Sequence, residues 1–142
     1  MSDRKNIVTA DEFRLVDEKG KLRGVFGLRE GGAPFMGFYG KDGKRRAIFA
    51  LREDGSPGVG LYDGRGRERA KLALEDHGVP SARLTDAKGS TRVELSLDDS
   101  GDPALIMYDK DGAKLLQVVI TGDQRAALSF FSKDGKLKAH MA

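Results

Sequence analysis

Glycine recurs at Gly20, Gly43, Gly66, Gly89, Gly112 and Gly135, always 23 residues apart, and Pro34, Pro57, Pro80 and Pro103 keep the same spacing. A fixed period constrains a fold more than any local signal, because every copy must adopt one structure and bury its apolar side with its neighbours' help. Units begin at Glu12, Phe35, Gly58, Ser81, Ala104 and Ala127, six in all with the last truncated, and no insertion disturbs the register. Position 2 of the unit reads Phe13, Met36, Val59, Ala82, Leu105, Leu128, and position 4 reads Leu15, Phe38, Leu61, Leu84, Met107, Phe130. Position 15 reads Phe26, Phe49, Leu72, Leu95, Val118, Met141, and position 17 reads Leu28, Leu51, Leu74, Leu97, Ile120.

Within a unit, apolar residues alternate with other types, which is the period of a half-buried strand. Between the two runs of a unit lies Lys41-Asp42-Gly43-Lys44 or its equivalent. Asp-Gly between alternating runs signals a two-residue type I′ hairpin turn, with positive φ at both central residues. The second punctuation is Asp54-Gly55-Ser56-Pro57. Paired residues share a face, so parity requires an even first loop and an odd second one, such as the three residues Asp54-Gly55-Ser56. The expected fold is all-β: six tandem hairpins, about twelve antiparallel strands, in a single repeat domain over residues 12–142. The antiparallel meander is expected to close or to pack as two layers, because about twenty leucine-sized side chains on one face would otherwise stay wet. A β-solenoid with one unit per coil is the alternative. Residues 1–11 read as a tail, with Ile7, Val8 and Thr9 as a short leading strand.

The balance of 25 basic and 22 acidic residues, net +3, argues for a mixed solvated surface and against a specific nucleic-acid groove. No cysteine is present, so disulfides and thiolate metal sites are excluded. No apolar run approaches the ~20 residues of a membrane helix, and the start MSDRKNIV lacks an apolar signal region. The default location is cytoplasmic, or a cell or virion surface if the chain is a fragment.

No residue set points to catalysis, and no metal or cofactor is expected. Asp109-Lys110-Asp111-Gly112 opens like a calcium loop, but the twelfth position of that loop is Ile120 instead of glutamate. His77, alone at a turn, reads as solvated, and His140 is distant in sequence. The column at position 12 is more suggestive: Arg23, Arg46, Arg69, Arg92, Leu115, Lys138. A two-residue turn would pair it with position 5, which holds Val16, Tyr39, Tyr62, Thr85, Tyr108 and Phe131. Arg46 is then expected beside Tyr39, and Arg69 beside Tyr62, on the face away from the apolar columns. Such a strip either stiffens the sheet by cross-strand packing or binds sugars, anionic polymers or lipid headgroups. Aspartate at position 6 (Asp17, Asp63, Asp86, Asp109) is ordinary turn chemistry. Leu115, Leu116, Val118, Val119 and Ile120 make one strand apolar on both faces, which marks Leu116 and Val119 as candidates for a homo-oligomer interface.

Leu61-Tyr62-Asp63, Arg69-Ala70 and Leu72-Ala73-Leu74 follow a motif of the form L-x-L-x-D-x-x-G-K-x-R-A-x-L-x-L-x-x-D-G-x-P. On these residues the chain resembles a group of uncharacterised bacterial hairpin-repeat proteins over residues 12–142. The resemblance implies a surface or envelope role, since such repeats often follow a membrane anchor. The hairpin form is also similar to that of MORN repeats, which implies scaffolding or lipid contact. The expected function is a non-enzymatic structural or interaction scaffold that self-associates, with a bacterial or phage surface as its expected setting. The alternative is a binding module for glycans, anionic polymers or lipid headgroups that uses the arginine–tyrosine strip.

Overall fold

The computed structural model describes residues 8–123 and 125–142. Among them twelve strands form: β1 (Glu12–Val16), β2 (Leu22–Leu28), β3 (Pro34–Tyr39), β4 (Arg45–Leu51), β5 (Pro57–Tyr62), β6 (Glu68–Leu74), β7 (Pro80–Thr85), β8 (Thr91–Leu97), β9 (Pro103–Tyr108), β10 (Lys114–Ile120), β11 (Ala126–Phe131) and β12 (Leu137–Met141). They pair in sequence order as one antiparallel meander. Phe38 pairs with Ala47 across β3 and β4, which is hairpin pairing and not the parallel stacking of a solenoid. Val8 and Thr9 are not in a strand, and Ile7 lies outside the described residues.

The turns differ from those expected. Gly40 N–H donates to the Lys44 carbonyl and Gly43 N–H to the Gly40 carbonyl. That closes a three-residue loop, a type I turn ended by one left-handed glycine, with Gly43 at φ 75° and Asp42 not positive. A three-residue loop alone would flip the face of the next strand. A β-bulge restores it: Tyr39 pairs with Arg45 and Phe38 with Ala47, leaving Arg46 as the extra residue. The other hairpins repeat the device, with Arg23, Arg69, Arg92, Leu115 and Lys138 as the extra residues. Arg46 is therefore not opposite Tyr39, nor Arg69 opposite Tyr62. The second turns are also three-residue loops, but shifted by one: Arg52 and Ser56 close around Glu53-Asp54-Gly55.

The sheet is a single open layer with β1 and β12 as its edges. Neither closure nor a second layer covers the apolar columns. Phe26, Phe49, Leu72 and Leu95 are each a little over half exposed. The buried apolar residues Val25, Ile48 and Ala73 lie on the opposite face. There, long side chains lie across small ones: a Cβ on Gly60 would meet the Tyr62 hydroxyl at 2.9 Å, and one on Gly37 the Tyr39 hydroxyl at 3.3 Å. Glycine at those strand positions makes room for the tyrosine two residues on.

Candidate functional site

The two faces differ in kind. Cross-strand pairing puts Gly24, Phe38, Ala47, Leu61, Ala70, Leu84, Val93 and Met107 in one row across the sheet. Phe26, Met36, Phe49, Val59, Leu72, Ala82, Leu95 and Leu105 form a second row beside it. No charged residue enters either row. Shallow grooves of about 320 to 430 Å³ run between the side chains, lined almost wholly by apolar groups. Among the described residues these two rows carry apolar side chains and glycine alone, and what they offer is contact area.

The opposite face is polar and cross-linked. The Glu75 carboxylate accepts from Lys71 Nζ at 2.8 Å, Arg52 Nη2 at 2.9 Å and Ser81 Oγ at 3.0 Å. Arg83 lies 3.3 Å from both Glu75 and Glu94, and the Tyr108 hydroxyl donates to Glu94 at 3.3 Å. These groups join four strands, β6 to β9, and the turn after β4 in one network. Lys71 first, then Arg52 and Ser81, hold the Glu75 carboxyl down at about 2. Burial, reinforced by Glu68, pushes the Tyr62 hydroxyl up, and burial with the Glu94 charge does the same for Tyr108.

The arginines of the bulge column act as struts. Arg23 pairs with Asp17 and donates to the Gly40 carbonyl of the next hairpin. Arg46 pairs with Asp42 and reaches the Asp63 carbonyl; Arg69 and Arg92 donate to the carbonyls of Thr85 and Tyr108. The aspartates at the turn entry accept from backbone N–H groups two and four residues on, as Asp63 does from Arg65 and Arg67. Asp109 does the same with Asp111 and Ala113, so the segment that resembles a calcium loop has its Oδ1 committed to the turn.

The cation over an aromatic ring is instead supplied from the position before the bulge. Arg45 lies over the Tyr62 ring at 4.4 Å, and Lys114 over Phe131 at 4.4 Å. Tyr62 and Arg45 border a hollow of about 200 Å³ with Arg29, Arg52, Glu68 and Lys71. Sequence reasoning passed over Arg45 because it sought each ring's partner within its own hairpin, whereas Arg45 reaches Tyr62 of the next one. Tyr39 lies against Gly37 and outside this hollow. Leu116 and Val119 face opposite sides of β10: Leu116 pairs with Met107 and Phe130 in the apolar row, Val119 with Ala104 and Ala127 behind it. No single flat interface on that strand includes both. No family model matches the chain, and no curated protein sequence does.

Proposed function

We propose that the chain is a non-enzymatic interaction scaffold whose working surface is the apolar face of its hairpin sheet. One observation carries the reading: a face built from every hairpin, free of charge, stays open in the folded chain. Contiguous apolar surface on that scale marks a docking surface. The hairpin struts and the Glu75 network hold the sheet from the other side, so the apolar side is left for a partner. The test is the triple variant Phe49→Gln, Leu72→Gln, Leu95→Gln, compared with wild type for far-UV circular dichroism, particle mass and binding of an apolar fluorescent dye. The expected result is an unchanged β spectrum with lower mass or weaker dye binding. Unfolding of the variant, or identical mass and dye binding, would defeat the reading.

A second reading is favoured by the Arg45–Tyr62 stack beside its cation-rich hollow: a site for glycans, anionic polymers or lipid headgroups on the polar face. Titration with a sulfated polysaccharide at two salt concentrations tests it. Loss of salt-sensitive binding in Arg45→Ala supports the site; binding unaffected by Arg45→Ala removes it.

A further inference from the structure

We infer that the partner of the apolar face is a second copy of this chain, packed face to face about a two-fold axis near β6 and β7. The inference rests on the proposed docking role of that face and names its occupant. The first argument is area. The chain exposes 10254 Å², whereas a folded monomer of this mass exposes about 7,200 Å². Even if the seven undescribed leading residues counted as fully extended chain, they would account for only about 1,200 Å² of the difference. The remaining excess of roughly 2,000 Å² per copy is what an obligate homodimer buries.

The second argument is shape. In the row through Phe38, large and small residues alternate from β3 to β7: Phe38, Ala47, Leu61, Ala70, Leu84. Phe38, Leu61 and Leu84 stand about half exposed as knobs, and Ala47 and Ala70 leave notches between them. The knobs recur every second strand, roughly 9.6 Å apart. A surface with that same spacing is needed to fill the notches, and a second copy has it. Two-fold packing is self-complementary, so the knobs of each copy enter the notches of the other. Two sheets stacked in this way form a sandwich with a dry interior and two polar outer faces. The absence of charge from both rows means that no ion is left unpaired when they meet.

The chain contains no cysteine, so single cysteines report on the geometry without interference. The full chain is measured by light scattering across a hundred-fold range of concentration, alongside Leu61→Glu and Arg45→Ala. A short bis-maleimide is then applied to Ala82→Cys on the apolar face and to Ser96→Cys on the polar face, where Ser96 is half-buried. The expected outcome is twice the monomer mass for wild type and Arg45→Ala, and the monomer mass for Leu61→Glu. Ala82→Cys should cross-link in pairs and Ser96→Cys should not. If Leu61→Glu fails to fold, the cysteine pair decides alone. Cross-linking through Ser96→Cys but not Ala82→Cys overturns the inference. So does a mass that climbs through many multiples, which is edge-to-edge strand addition. A wild-type monomer that binds apolar dye in a face-dependent manner overturns the second copy but leaves the docking role standing. A monomer that binds none removes both.

Discussion

Arg46 Nη1 donates to the Asp63 backbone carbonyl at 3.0 Å, tying the turn of one hairpin to that of the next. Its Nη2 meanwhile holds the Asp42 carboxylate at 2.8 Å within its own turn. The bulge that sets Arg46 out of the ladder is what lets one guanidinium serve both. Arg46→Ala is expected to lower stability by about 1 kcal/mol, read as a fall in the urea midpoint. Arg46→Lys should recover little of this loss, because an ammonium is a point charge and cannot fork between two acceptors. Full stability in Arg46→Ala would show that the strut is idle.

Acid should loosen the sheet at Glu75. Its folded pKa is held down at about 2 against an ordinary 4.5, chiefly by Lys71 and then Arg52 and Ser81. A carboxyl with a depressed folded pKa stabilises fully above its unfolded value, and that contribution is lost as pH falls through the folded one. The window is therefore pH 4.5 down to about 2. Solvent screening reduces the effect to about 1–2 kcal/mol. Glu75→Gln should be less stable than wild type at pH 7, with the gap closing across that window. A gap that stays constant with pH would assign the loss to packing.

The strand ladder was readable because apolar alternation fixes which residues share a face, and Phe38 opposite Ala47 satisfies that alternation. The bulge was not readable. A two-residue loop, and a three-residue loop with one bulged residue, place Phe38 and Ala47 identically, and Gly43 suits either turn. The bulge takes Arg46 out of register with Tyr39 and Arg69 out of register with Tyr62, and the Tyr62 ring is covered by Arg45 of the preceding hairpin instead. The side of the sheet that buries residues was hidden for a different reason. Hydropathy marks Phe49 and Leu72, yet Ile48 and Ala73 are the buried ones; on that face the Tyr39 and Tyr62 side chains lie over Gly37 and Gly60, the cross-strand neighbours of Ile48.

His77 is the described non-glycine residue with positive φ, at 61°, in a turn where Gly78 follows at 79°. The first unit places Gly31 and Gly32 at the equivalent pair, at 86° and 82°. A side chain in the left-handed region is strained by about 1 kcal/mol, while glycine loosens the unfolded chain. His77→Gly should therefore raise stability by roughly 0.5 kcal/mol. His77→Val should lower it, since a β-branched residue tolerates that region worst. Thermal midpoints of the two variants in the opposite order would mean that the turn relaxes to another conformation.

Unit five contains the natural defect in the strut system. Asp109 is almost fully buried, and its Oδ2 has no hydrogen-bond partner. In the other turns with aspartate at this place the outer oxygen faces the bulge arginine: Arg23 with Asp17, Arg69 with Asp63, Arg92 with Asp86. The bulge residue of unit five is Leu115, and the nearest cation is Lys133 of the following turn, 3.6 Å away. The backbone donors Ala113 and Asp111 still hold the Asp109 carboxyl below the usual carboxylate range, so a buried charge is answered only by an exposed lysine that also pairs with Asp111. Leu115→Arg would place a guanidinium where the other units have one, giving Oδ2 a charge-assisted partner. The expected outcome is a rise of a few degrees in the thermal midpoint. The same substitution in an Asp109→Asn background should gain less, because the charge it answers is gone. Equal gains in both backgrounds would mean that Leu115→Arg acts by some route other than the carboxylate, and the defect would then be of no energetic consequence.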